Sequence, residues 1–158
     1  MKIKGIIFED TVNYKKISMT IMMPACSFKC DKEYGSTICQ NCELVYSEDY
    51  EVDPEAIINN YYIDNPIVEA LVFQGLEPFD SWEDLLLTID IFRIYTDDDI
   101  IIYTGYKEEE IEDKINELKK YKNIIIKFGR YIPNQDNKYD EVLGVTLASS
   151  NQYAVKIS

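Results

Sequence analysis

The sequence contains no histidine. The commonest general base and nitrogen ligand of proteins is therefore missing, and any metal or acid–base chemistry falls to other side chains. Cationic residues are also sparse: 16 Lys and Arg face 29 Asp and Glu, for a net charge of −13. Binding to a nucleic-acid backbone needs clustered Lys and Arg, so that class of partner is not expected. No apolar stretch approaches the roughly 20 residues needed to span a bilayer, so no membrane association is expected. The N-terminal "MKIKGIIFED" has only a three-residue apolar run after Gly5 and then turns acidic, unlike a secretory leader. The expected compartment is the reducing cytoplasm, where clustered thiols point to metal or catalysis before disulfides.

Cysteine is absent everywhere except one short stretch, "CSFKCDKEYGSTICQNC", which holds Cys26, Cys30, Cys39 and Cys42. The rest of the chain reads as an ordinary globular protein, with 46% hydrophobic and 28% charged residues. Its 158 residues suit a single domain over 1–158. "KIKGIIF" and "ISMTIMM" read as a strand hairpin, and Pro24 ends the second strand before the cysteine loop at 24–43. Asp53 and Pro54 open a helix as N-cap and first helical residue. Helices are also expected over "SWEDLLLTIDIFRIY", with Ser81 as N-cap, and over "KEEEIEDKINELKKYK". Between them, "VEALVF", "DIIIYT" and "NIIIKF" are apolar runs of the kind found in parallel strands covered on both faces. "RYIPNQDNKYDEV" reads as a polar loop, and "LGVTLASSNQYAVKIS" as a closing strand, turn and final strand.

Alternating strands and helices predict an α/β fold: a curved, mostly parallel sheet, or short partial (βα) barrel, with helices outside. Ligands of such sheets bind at the carboxyl ends of the strands. Four strand ends here carry distinctive residues: the cysteine loop, Gln74-Gly75-Leu76-Glu77-Pro78, Gly105-Tyr106, and Gly129-Arg130. All four are expected on one rim.

The thiols admit several chemistries. Cys26-x3-Cys30 and Cys39-x2-Cys42 could together hold one tetrahedral Zn²⁺. Three of them could instead hold an iron–sulfur cluster and leave one iron open. Simple burial as small apolar residues is the remaining reading, and it gives no reason for clustering in a polar loop.

A Cys-x3-Cys pair at the end of the first core strand, with a third cysteine after it, resembles the radical S-adenosylmethionine superfamily. In most of that superfamily the third cysteine follows two residues after the second, a place held here by Glu33. Cys39 is followed by Gln40-Asn41, similar to the Cys-x-Asn at the third ligand of glycyl-radical activating enzymes, with Cys42 as the alternative third ligand. "FQGLEPF" resembles the superfamily's Gly-Gly-Glu-Pro element, with Leu76 in place of the second glycine. "IIYTGY", "FGRY" and "ASSNQYAVKI" resemble strand ends and the closing segment of activating proteins of anaerobic ribonucleoside-triphosphate reductase.

The resemblance implies a [4Fe–4S] cluster on Cys26, Cys30 and Cys39, with S-adenosylmethionine at its open iron. It places Gly75, Leu76, Glu77 and Pro78 at the amino group of S-adenosylmethionine, Thr104 and Gly105 near the ribose, and Arg130 on the methionine carboxylate. It implies one-electron cleavage to a 5′-deoxyadenosyl radical that creates a glycyl radical on a partner enzyme similar to anaerobic ribonucleotide reductase. A flavodoxin or ferredoxin would supply the electron. The alternatives are a radical enzyme acting on another peptide or small molecule, and a non-enzymatic four-cysteine zinc domain. The short fold leaves few residues to close the rim, so a partner is expected to cover it.

Overall fold

A computed structural model describes all 158 residues. Residues rich in Ile, Val, Met and Phe build a six-stranded sheet in the order β10-β7-β6-β5-β3-β2. Its strands are β2 (Gly5–Asp10), β3 (Ser18–Met23), β5 (Ala70–Gly75), β6 (Asp99–Tyr103), β7 (Ile124–Phe128) and β10 (Tyr153–Lys156). β3, β5, β6 and β7 run parallel; β2 and β10 flank them antiparallel. Two small two-stranded ladders are not hydrogen-bonded into this sheet: β1 (Lys2–Ile3) with β4 (Tyr50–Glu51), and β8 (Lys138–Asp140) with β9 (Val145–Leu147). The protein is thus α/β, with a mixed and mostly parallel central sheet.

Both sheet faces are covered, which is why the central strands read as unbroken apolar runs. On one face Met19, Ile21, Phe73, Ile102 and Ile126 pack against α2 (Pro54–Ile57), α3 (Trp82–Tyr95) and α4 (Glu112–Leu118) through Ile57, Leu85, Ile89, Phe92 and Leu118. Each large apolar side chain buried this way contributes about 1.5–3 kcal/mol. Phe92, fully buried and edge-on to Tyr62, is a residue whose loss to alanine costs about 3–5 kcal/mol. On the other face Val72, Ile101 and Ile125 meet Tyr14, Leu143 and Leu147, contributed by the β2–β3 turn and the β8–β9 segment.

Several local expectations are corrected. Ser81 makes no side-chain cap; a 3₁₀ turn over Pro78–Ser81 precedes α3, and its N-cap is Glu77, whose side chain accepts from the Phe79 N–H. Asp53 does cap α2 as expected, accepting from the Glu55 N–H, and Pro54 follows it. The helix continues through a π turn over Ile58–Tyr62. The third helix is broken into a 3₁₀ turn at Glu108–Glu110 and α4, because Ile111 turns inward to the core and Glu110 caps back onto the Lys107 N–H. The polar stretch before residue 142 contains β8, and Val145–Leu147 pairs with it instead of joining the main sheet. Within the cysteine loop, Lys29–Tyr34 forms the helix α1, closed by Gly35 in the left-handed region. No membrane-crossing helix is present: none is long and apolar enough.

Candidate metal and cofactor site

Parallel pairing brings the carboxyl ends of β3, β5, β6 and β7 to one rim. The cysteine loop leaves β3 there and is stitched to the end of β5 by backbone bonds, Leu76 N–H to Met23 O at 3.3 Å and Glu77 N–H to Ala25 O at 2.7 Å. Gly75 sits at φ +91°, and a Cβ there would lie 3.0 Å from the Met22 Cα, so the two chains approach as only glycine allows.

Glu77 is the centre of the rim. It is 7% exposed. Its Oε1 accepts from the Thr104 hydroxyl at 2.7 Å and the Phe79 N–H at 3.2 Å, and its Oε2 from the Gly105 N–H at 2.9 Å. Burial raises its pKa to about 7 despite these three donors, which pull the other way. Thr104, 2% exposed, in turn accepts from the Tyr106 N–H. Glu77, Thr104 and Gly105 therefore form one locked unit that ties β5 to β6.

Arg130, also 7% exposed, has its guanidinium closed on Glu110: Nη1 donates to Oε2 and Nη2 to Oε1, both at 2.8 Å. This fork holds the Glu110 carboxyl down at about 2. Glu33 Oε2 lies 3.3 Å from Nε, but off the N–H direction, so that N–H makes no hydrogen bond. Lys29 approaches Glu110 at 3.4 Å. Lys29 and Glu33 stand on either side of Cys30 in α1, so this ion-pair group straps the cysteine helix to the end of β7.

The four thiols are free. Cys26, Cys30 and Cys39 line one cavity of about 350 Å³, together with Gly75, Leu76, Glu77, Thr104, Gly105 and Arg130. Cys42 and Pro78 are not in that wall: Cys42 begins a 3₁₀ turn over Cys42–Tyr46, and Pro78 is buried beneath the rim. Burial pushes the Cys26 thiol up to about 12 and raises Cys39 as well. Such thiols are not the low-pKa nucleophiles of cysteine catalysis; they give up their protons to a metal. No three Cys, Asp or Glu side chains are gathered tightly enough to hold a single metal ion. Cys26, Cys30 and Cys39 line one cavity, and a cluster whose irons each take one thiolate calls for sulfurs arranged around a common space.

Two flanking motifs hold the loop. Asn41 precedes the 3₁₀ turn at Cys42 without a side-chain cap bond; its Nδ2 donates to the Gly75 carbonyl at 2.8 Å and so orients the loop. Asp31 Oδ1 accepts from the Ile38 and Cys39 N–H groups at 2.8 and 2.9 Å and fixes the approach to the third cysteine. The Ser149–Gln152 turn docks on the rim: Asn151 donates to the Arg130 carbonyl at 2.8 Å, and Gln152 to the Gly129 carbonyl at 3.2 Å. A second cavity of about 470 Å³ lies across Arg130, with Ile38, Phe128, Tyr131, Ile132 and Asn151 in its wall.

Sequence reasoning missed three residues. Lys127 lines the cysteine cavity and is 7% exposed, although it sits in a strand read as uniformly apolar. Its signal was the alternation within "IIIKF": Ile125 and Lys127 share the face opposite the helices, while Ile124, Ile126 and Phe128 pack with the helices. Burial lowers its pKa to about 8 against the pull of Glu77 and Cys30. Asp80 was also missed; it accepts from the Ser27 N–H at 2.6 Å and the Tyr106 hydroxyl at 2.5 Å, and so seats the residue after Cys26. Glu110 carried no local signal, because its partner lies twenty residues on.

No curated protein and no solved structure matches the chain. A family described as a 4Fe-4S single cluster domain matches over residues 15–154, a span that runs from the β2–β3 turn through all four cysteines to β10. With three thiols around one cavity and that match over most of its length, the chain belongs to this family of iron–sulfur proteins.

Proposed function

We propose that the protein is a radical S-adenosylmethionine enzyme that generates a glycyl radical on a larger partner enzyme of the anaerobic ribonucleotide reductase kind. The observation that carries this reading is the shared cavity. Cys26, Cys30 and Cys39 face the ends of β5, β6 and β7 across about 350 Å³, and the fourth thiol is outside the wall. Three ligands for four irons leave one iron open to a ligand.

Cys26, Cys30 and Cys39 hold the cluster in this reading. When bound there, the cluster would supply the single electron that reductive cleavage of S-adenosylmethionine to methionine and a hydrogen-abstracting 5′-deoxyadenosyl radical requires. The chain's own task is placement. The Gly75 and Leu76 carbonyls, beside Glu77 and Pro78, offer acceptors to an ammonium. The Glu77–Thr104–Gly105 unit keeps the ends of β5 and β6 at fixed spacing and supports the ribose side. Arg130, already forked to Glu110, clamps the Cys30 helix. The apolar cavity with Ile38 and Ile132 accommodates a flat nucleobase. The partner covers the open rim, and a flavodoxin or ferredoxin delivers the electron.

The test is anaerobic purification and reconstitution, followed by metal analysis and chromatography with dithionite and S-adenosylmethionine. Expected are about four irons and four sulfides per chain, with 5′-deoxyadenosine formed slowly alone and faster with the glycyl-radical partner. One zinc per chain on four thiolates overturns the iron–sulfur chemistry. A loaded cluster without 5′-deoxyadenosine overturns the radical activity. Cleavage that no glycyl-radical candidate accelerates moves the substrate to another peptide or small molecule.

A further inference from the structure

The wall of the cysteine cavity contains two cations, and only one of them has its charge balanced by a carboxylate of the protein. Arg130 is forked onto Glu110 through both terminal nitrogens. Lys127 has a single protein acceptor, the Gly129 carbonyl at 3.0 Å, and forms no ion pair. An ammonium has three N–H donors, so two remain for whatever fills the cavity. Glu77, the buried acid that shares the wall, is turned to Thr104, Phe79 and Gly105, from which it accepts three hydrogen bonds, and it makes none to Lys127. The Gly129 carbonyl is itself shared with the Gln152 amide, which leaves it no further capacity to satisfy the lysine.

A buried ammonium held by one neutral carbonyl and the distant face of the Tyr103 ring, 5.9 Å away, costs free energy unless an anion completes it. Met or Leu at position 127 would continue the apolar strand without that cost. We infer that Lys127 binds the carboxylate of the ligand that shares the cysteine cavity, which on the function proposed above is the α-carboxylate of S-adenosylmethionine. The inference rests on that function for the identity of the ligand. It moves the carboxylate contact from Arg130, where the family resemblance placed it, to a residue of β7 whose charge no carboxylate of the protein pairs.

The experiment measures equilibrium binding to the cluster-loaded, anaerobic protein by calorimetry, with two probes: S-adenosylmethionine and its decarboxylated analogue. Wild type, Lys127→Met and Lys127→Gln are compared, and iron content reports that each variant is folded and loaded. A hydrogen bond between charged groups predicts about 10- to 100-fold weaker binding of S-adenosylmethionine in both variants. Affinity for the decarboxylated analogue should be unchanged, because the group that Lys127 would meet is missing. Arg130→Met, by contrast, should weaken both probes alike, as the loss of a clamp would. Unchanged S-adenosylmethionine affinity in the Lys127 variants overturns the inference, including the case in which only the cluster's midpoint potential moves. Equal weakening of both probes also overturns it. If the wild type binds neither probe, the proposed function fails and takes the inference with it, an outcome distinct from a wild type that binds and a variant that binds equally well. Should both Lys127 variants fail to load iron, Lys127 is a structural residue and the inference is again overturned.

Discussion

The site has two halves built on opposite principles. The strand-end half is buried and cross-braced: Glu77, Thr104 and Arg130 are nearly inaccessible, and Glu77 alone accepts three hydrogen bonds. The cysteine half has almost no core. Neither α1 nor the 3₁₀ turn after it contains a single buried residue. It is held by straps: Asn41 to Gly75, Asp80 to Ser27, Glu110 to Lys29, and the backbone bonds at Ala25 and Met23. The difference shows where the stability of each half originates. The rim draws on the hydrophobic sheet and stands without a cofactor. The loop lacks apolar burial, so the binding energy of its cluster becomes its folding energy.

The sharpest way to break this comparison is to remove thiols one at a time. Cys26→Ala, Cys30→Ala and Cys39→Ala should each abolish stable loading, so that iron falls from about four per chain to near zero. Cys42→Ala should retain it. Iron counting with visible absorbance decides the matter, and a Cys42→Ala protein as empty as the others would make the four thiols equivalent.

The next largest effect is expected on the rigid side. Glu77→Ala strands the donors of Thr104, Gly105 and Phe79 and should cost about 2–3 kcal/mol in urea unfolding. The same residue carries a pH dependence. In the folded chain its pKa is about 7, against 4.5 for an ordinary glutamate, so the folded state keeps its proton longer. Stability from this group is therefore greatest below 4.5 and declines as pH rises towards 7. Glu77→Gln has no proton to lose and should flatten that slope; an unaltered slope would locate the titration elsewhere.

A smaller effect is expected from the clamp. Glu110→Gln weakens the fork to Arg130 and the contact to Lys29, and hydrogen exchange in Lys29–Tyr34 should quicken about tenfold while β5 to β7 remain protected. Acceleration of both regions together would mean that the halves are not separate. Smallest is Asn41→Ala, which removes one strap. It should cost about 1 kcal/mol or less and shorten the lifetime of the loaded cluster against a chelator.

The sheet was legible because its signals are local. Three apolar runs named three of the four parallel strands, Pro24 and the glycines marked strand ends, and Asp53-Pro54 marked a helix start. The rim followed from topology. What stayed hidden depends on partners distant in sequence. Arg130 shows a charge but not that Glu110 will occupy it. Lys127 looks like a solvated lysine until the pleat turns it inward with Ile125. Helix α1 has no apolar stripe to announce it, since it buries nothing, and β8 is recognisable only through β9. Ser81 was a plausible cap by residue type, yet the chain caps with Glu77, one 3₁₀ turn earlier.

The burial of the Cys26 sulfur also governs what happens to a chain that has just been made. Only the thiolate reacts with peroxide or alkylating agents, and burial pushes the Cys26 thiol well above the ordinary cysteine range, so little thiolate forms at neutral pH. An empty chain thus keeps this sulfur chemically quiet while it waits for iron. Delivery of the metal, rather than any change in the surroundings, is what switches it on.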